Sequence, residues 1–527
     1  MQRRTLLKAT AAAAAAGVIA RPAIAQGNSK VLRCAPEANL ASIDPIWTTA
    51  TVAINHGYMV YDTLYGIDSS LTPRPQMVAG HTVSDDKLNW TFTLRDGLAF
   101  HDGEPVRSVD CIASIDRWSK RAAWGQALGA VTEEMKALDD KRFSIRLKKP
   151  FSSILYAFGV SPACFIMPER VAKTDPFKQI SDPTGSGPFK FVKDEWVAGA
   201  RAVWVKNDKY NPRDEPADSY SGGKRVHVDR VEHVVMPDGA TAAAALQTGE
   251  IDWVHVPLID LVPQLKKSSG VKVAIYDPLG WLGIIRPNHL FPPFDNPKLL
   301  RAILPAIDQR EFLSAVIGDQ SELGKVPAGF FTVGSAMANT AGMEALSGPR
   351  DVEKAKRLVA ESGYKGEPVI LMSPTDQPAL AQVAQVTREV FQKVGLNVQY
   401  ASMDWSTLVA RRASREPPEK GGWNAFTTSW SGLSVADPGG HFPIRGNGTN
   451  AWFGWPTDPK MEGLRNAWFD APDIAAQKKI CEEMQLRGFE SVPFIPVAQW
   501  FYPTAFRDNI VDIVKCPGIL SWNLRKT

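Results

Sequence analysis

The amino-acid sequence predicts a mixed α/β protein of two or three lobes. Its 527 residues exceed what a single hydrophobic core usually holds. Residues 369–401 read as strand, helix and strand, an order that implies a parallel pair joined by a right-handed crossover. Residues 226–254 show the same order on a smaller scale, and a short helix between strands suits a mixed α/β layer. No internal repeat and no low-complexity linker follows the first 25 residues.

The N-terminus points to a compartment. Arg3-Arg4-Thr5-Leu6-Leu7-Lys8 looks like a twin-arginine export signal, followed by an Ala-rich stretch over 9–20 and an A-x-A site at Ala23-Ile24-Ala25. A Sec signal with a chance arginine pair is the alternative. Both predict a cleaved signal peptide over 1–25 and a periplasmic protein. The apolar stretch is too short for a permanent anchor, and Cys34 is the first cysteine, so no lipid is expected at the new N-terminus. Arg3, Arg4, Lys8 and Arg21 account for the formal charge of +4, and the chain from Gln26 onward is neutral. Neutrality argues against nucleic acid or an anionic membrane surface as partner. The five cysteines are widely spaced, with no C-x-x-C. At most two disulfides are possible, and buried free thiols account for the cysteines equally well.

The elements follow in order. Val31 to Cys34 reads as a short strand, ahead of an apolar, aromatic run over His56–Tyr65. Trp90, Phe92 and Leu94 alternate with Thr91, Thr93 and Arg95, the period of a half-buried strand. Asp96-Gly97 and Asp102-Gly103 are turns. Ser108 is a candidate cap for a helix carrying Val109, Ile112, Ile115 and Trp118. Phe143, Ile145 and Leu147 mark another strand. Val231, His233 and Val235 alternate, Asp238 can cap a helix over 240–248, and Gly249 suits its end. Pro305 should kink or end the helical pattern after Leu299. Asp351 opens a helix that Gly363 closes. Strand 369–372, helix 379–394 and strand 397–401 complete the crossover.

The run W-T-F-x-L-R-x-G-x-x-F-H-D-G-x-P from Trp90 to Pro105 resembles the signature of the peptide/nickel (family 5) extracytoplasmic solute-binding proteins of ABC transporters. Three further stretches are similar: Pro183 to Lys190, Pro237 to Asp252, and Pro292 to Asp308. The resemblance implies a type II periplasmic-binding-protein-like fold, with two large mixed α/β lobes joined by a hinge and a smaller extra lobe. It places 26–71, 185–285 and 498–527 in the first lobe, 72–184 in the extra lobe and 286–497 in the second large lobe. It implies a monomer that closes over a peptide or small-molecule solute and delivers it to ABC permease subunits of the inner membrane. No bond in the solute is broken, and no cofactor is expected.

The remaining chemistry agrees with a binding role. H-E-x-x-H, G-x-S-x-G and zinc-type Cys/His spacings are absent. The Gly-rich run 185–188 lacks the G-K-[ST] ending of a phosphate loop, and Pro188 removes a donor. His101 and Asp102 are adjacent, so strand geometry points them to opposite faces. His227 and His233 are evenly spaced on a candidate strand, but two histidines alone make no metal site.

By resemblance, residues 426–432 line the ligand cleft, where the strand pairs with peptide backbone in peptide-binding members. Trp430, Ser431 and Gly432 are therefore candidate contacts. The acid that holds a ligand ammonium in dipeptide receptors, three residues after the Trp, is Leu433 here. Asp437 is a candidate for a displaced anchor, and Arg445 for gripping a ligand carboxylate. Trp47 and Tyr58 are candidate first-lobe contacts. Trp452, Phe453, Trp455 and Trp468 either stack on ligand or pack the second lobe. The alternatives are a periplasmic hydrolase and a ligand-presenting sensory receptor on the same fold. Family members take peptides, metal chelates, haem, glutathione or sugars, and no residue selects among these.

Overall fold

A computed structural model describes residues 30–527. The expected export signal lies outside the described residues. Two large sheets and one small sheet organise the chain. The first has seven strands, in the order 189–191, 201–206, 230–234, 31–35, 253–254, 504–507, 271–274. Val31–Ala35 lies at its centre, parallel to both Arg230–Val234 and Trp253–Val254. The helix Gly239–Thr248 carries the chain over it. Asp238 caps that helix by accepting from Thr241 N, and Gly249 ends it at φ 81°, a left-handed conformation that glycine adopts without strain. His227 precedes this strand and is exposed, so it does not share a strand with His233 as its spacing suggested.

The second sheet has six strands, in the order 324–325, 495–500, 281–287, 425–431, 368–374, 397–403. Pro368–Pro374 and Asn397–Met403 are parallel along their whole length. The helix Pro378–Lys393 between them buries Leu380, Val383, Val390 and Phe391. The chain therefore passes between the two large sheets at 275–280 and again at 501–503. The lobe boundaries expected at 285/286 and 497/498 fall inside strands Trp281–Pro287 and Ile495–Trp500. These two strands pair with each other, which keeps both in the second sheet. The boundary expected at 71/72 falls in the turn of a hairpin joining Tyr65–Ile67 to Pro73–Pro75.

The small sheet is antiparallel, in the order 78–83, 89–94, 142–147, 132–137. Trp90, Phe92, Leu94, Phe143, Ile145 and Leu147 all point inward, as their alternation requires. The helix Ser108–Ser119 packs on this region, but its cap differs from the expectation. Arg107 is the capping position, and the Asp110 carboxylate accepts from Arg107 N at 2.8 Å. Ser108 instead donates its hydroxyl to Asp139 O. Val109 and Ile112 are only half-buried, while the polar Asp110 and Arg117 go inside. Arg117 does so because Asp44 meets it there, at 2.6 Å.

The Gly-rich run is a structural crossover. A Cβ on Gly185 would stand 1.9 Å from Val60 O, and one on Gly187 2.7 Å from Met59 O. His101 pins this crossover: its ring nitrogens lie 3.1 Å from Gly187 O and 3.1 Å from Gly185 N. Asp102 pairs with Arg170 instead. All five cysteines are buried and unpaired.

Candidate functional site

A cavity of about 350 Å³ lies between the two large sheets, within the range of small-ligand sites. One wall comes from the first sheet and its approaches: Glu37, Asn55, Trp253 and His255. The opposite wall comes from the second: Leu380, Trp405, Arg412, Trp452 and residues 428–431. Both crossings contribute, through Tyr276 and Asp277 in one and Tyr502 in the other, and the strand residues Trp281 and Thr504 that follow them also line the cavity. Those segments join the sheets, so dihedral changes there would alter the width of the cavity.

Strand Ala425–Ser431 has an unusual neighbourhood. It pairs with Trp281–Pro287 along its whole length, but with Pro368–Pro374 only at Ala425 and Phe426. From Thr427 onward, its second edge carries no strand. Within it, Thr428 to Ser431 face the cavity. Trp430 packs edge-on against Trp452, with ring centroids 5.0 Å apart. The indole N–H groups of both are buried without an acceptor, so each keeps a donor unused.

Two charged groups on the walls also lack a counter-ion among the described residues. Arg412 is buried, and no carboxylate lies within ion-pair distance of it among the described residues. Its guanidinium sits over the rings of Phe453, Trp452 and Trp405 at 4.9, 5.5 and 5.6 Å. Burial lowers its pKa to about 10, so it remains a cation at neutral pH. Asp404 caps the helix Trp405–Arg411 by accepting from Thr407 N, and Arg412 follows that helix as its C-cap, where the helix dipole favours a cation. Asp277 accepts from Leu279 N through Oδ1 at 2.9 Å, but its Oδ2 is buried and unpartnered. Burial raises its pKa to about 6. The cavity thus presents an unpaired cation, a titratable acid, two free indole donors and a half-open strand edge.

The expected contacts divide sharply. Trp430 and Ser431 line the cavity. Gly432 stands just outside it, where its N–H donates to Gly280 O at 2.6 Å and a Cβ would meet Leu279 O at 2.4 Å. It fixes the crossing and is not itself part of the cavity wall. Leu433 is buried in the helical turn Gly432–Val435. Asp437 is no displaced anchor. Its Oδ1 accepts from Gly439 N and Gly440 N at 2.8 and 3.2 Å, and Tyr156 donates to its Oδ2 at 3.4 Å. These bonds make it the keystone of its own turn, behind the lining residue Gly440 rather than on the cavity wall itself. Arg445 is held by Glu462 at 2.9 and 3.0 Å, so its carboxylate partner is internal. Tyr58 is buried, stacked on Tyr220 and edge-on to Phe165. Trp47 is 36% exposed and lies outside the cavity wall, although Thr49 and Val52 border it. Of the other aromatics considered, Trp452 lines the cavity, while Trp455 and Trp468 are buried beyond it. Arg412, Asp277 and Glu37 were not anticipated. Nothing in their local sequence distinguishes them, apart from the turn residues Pro278 and Gly280 beside Asp277.

Comparison with known proteins places this geometry. The model of the bacterial extracellular solute-binding proteins, family 5 Middle, matches residues 72–452. The chain belongs to this family. It is 37% identical to the probable peptide ABC transporter periplasmic-binding protein y4tO of Sinorhizobium fredii, over 100% of this chain and 99% of that one. It is 26% identical to the glutathione-binding protein GsiB of Shigella flexneri, over 75% of this chain and 73% of that one. Among solved structures, the binding protein AgaA of A. tumefaciens R10 with agropinic acid superposes with a TM-score of 0.78. It covers 94% of this chain and 99% of its own at 20% identity. A dipeptide-binding protein of Pseudoalteromonas sp. SM9913 with Met-Leu superposes at 0.77, covering 94% and 100% at 20% identity. The fold is that of a type II periplasmic binding protein, and the chain is a solute receptor of the ABC-importer kind. The comparisons support that role rather than a hydrolase or a sensory receptor. Among the described residues no helix is long and apolar enough to cross a membrane.

Proposed function

We propose that this receptor captures a small zwitterionic solute of the dipeptide or amino-acid-conjugate class, and that Arg412 takes its carboxylate. The observation that carries this reading is the buried, unpaired guanidinium on the cavity wall. Leaving a charge buried without a counter-ion costs several kcal/mol, and a bidentate carboxylate offsets that cost best. Asp277 is the complementary group for an ammonium, and the free edge at 427–431 can bond an amide backbone. The cavity volume favours a solute of two or three residues over a long peptide. The names of the relatives agree in chemistry, since dipeptides and glutathione all bear carboxylates. The chain acts as a monomer. Its leader is removed on export, the crossings at 275–280 and 501–503 flex as it closes, and the closed form hands the solute to inner-membrane permease subunits. It carries out no chemistry on that solute.

The test is thermal unfolding against dipeptides, glutathione, opine-type acids, their carboxamides and neutral oligosaccharides. A ligand at 100 times its dissociation constant stabilises by about 2.7 kcal/mol. Free acids should shift the midpoint and carboxamides should not. A response confined to neutral sugars would overturn the reading.

A further inference from the structure

Beneath the first-sheet wall, three segments bring a thiol and two imidazoles to one point. Cys34 is the register partner of His233 on one side and of Trp253 on the other. Parallel partners share a face of the sheet, and residues two apart on a strand share it too. His255 follows Trp253 by two, and its backbone N–H donates to Ala35 O at 3.0 Å. Cys34, His233 and His255 therefore converge. Sγ and one nitrogen from each ring all lie within 4.8 Å of one another. A point central to three such atoms is at most about 2.8 Å from each, and metal bonds of 2.0–2.3 Å need only sub-ångström side-chain shifts from there.

Two further features point to a ligand. His233 Nδ1 and His255 Nε2 are buried with no hydrogen-bond partner, although the interior normally satisfies such groups. Glu37 Oε2 lies 3.1 Å from His255 Nδ1. A carboxylate there holds the proton on Nδ1 and leaves the Nε2 lone pair free, as carboxylates behind metal-bound histidines do. Surface coordination is ruled out by burial: the three residues are 0, 6 and 2% exposed. The nearby Asp252 is already engaged by Lys526 at 2.9 Å.

We propose that Cys34, His233 and His255 bind one thiophilic cation, Cu(I) or Zn²⁺, at a site distinct from the solute cavity but sharing its Glu37–His255 wall. A thiolate with two imidazoles is the donor set such ions prefer. Binding forms one metal–sulfur and two metal–nitrogen bonds and releases the Cys34 thiol proton to solvent. Glu37 and His255 also line the cavity, so the ion reaches the cluster from that side. Sequence spacing could not show this, because the three ligands lie far apart in the chain.

The experiment is chelator-competition titration of the purified protein with Zn²⁺ alone, and with Cu(I) alone under reductant. Variants C34S, H255Q and H227A accompany the wild type. The proposal expects one equivalent of one or both ions in the wild type and in H227A, with at least a tenfold weaker affinity in C34S and H255Q. Binding of only one of the ions identifies the cation. X-ray absorption of the loaded wild type reads the site without any variant, and should show one sulfur and two imidazole nitrogens. No stoichiometric uptake of either ion, or a first shell lacking sulfur, would overturn it.

Discussion

Arg117 and Arg412 are both buried arginines, and they sit in very different company. Arg117, on the helix over the small sheet, meets Asp44 through both arms at 2.6 and 3.1 Å. It also donates to the carbonyls of Thr174 and Lys178. Lys224 is treated alike, with Asp62 at 2.7 Å. Arg286 lacks a carboxylate, but donates to four carbonyls, those of Phe453, Pro443, Pro493 and Trp452. Arg412, on the cavity wall, has only aromatic rings against its guanidinium among the described residues. A chain that satisfies its other buried cations so completely leaves this one open for a partner from outside. The distinction between structural and functional charge lies in the partners rather than in the burial.

This contrast can be broken in four places. The largest effect is expected from Asp44→Ala, which strands Arg117 in the interior and should destabilise by about 3–5 kcal/mol in chemical denaturation. A loss below 1 kcal/mol would mean that the carbonyls suffice. Arg412→Met should do the opposite, holding or raising the stability of the empty protein while weakening solute binding about 10- to 100-fold, the worth of a charge-assisted pair. If the variant unfolds more easily and binds normally, Arg412 is structural.

Asp277 sharpens the comparison through pH. Its folded pKa of about 6 stands above the ordinary value of about 3.9. Between those values the folded, empty protein binds more protons than the unfolded chain. Stability therefore declines as pH rises through that window, and Asp277→Asn should remove the decline. Solute affinity should run the other way, rising as pH passes about 6, because only the carboxylate accepts an ammonium. Affinity that is flat from pH 5 to 7 would exclude Asp277 as anchor. The smallest effect belongs to Asp437→Asn, which keeps the turn acceptor and should leave affinity unchanged, as measured by titration calorimetry.

Local features were the most legible in the sequence. The Asp238 cap, the Gly249 stop and the inward face of Trp90, Phe92 and Leu94 depend on neighbours within a few residues. The lobe order came from resemblance, and its boundaries slipped where long-range pairing decided them, as at Trp281–Pro287. The cavity was half legible. Trp430 and Ser431 lie on a strand that carries the family's motif, whereas the Asp437-Pro438 pair that suggests a displaced anchor says nothing of the glycine N–H groups that occupy the Asp437 carboxylate. Arg411 and Arg412 show the limit most clearly. They are adjacent in sequence, yet Arg411 donates to the carbonyls of Gly421 and Gly422 while Arg412 turns to the cavity. The end of a helix decides between them, and only packing reveals where that end points.

The most direct measurement is a double-mutant cycle across Arg412 and the solute carboxylate. The best ligand of the panel and its carboxamide would be titrated into wild type and Arg412→Met. The expected coupling energy is about 1.5–3 kcal/mol: amidation weakens binding to the wild type and makes no difference to the variant. Equal losses on amidation in both proteins would show that the carboxylate is held elsewhere, and the claim built on Arg412 would fail.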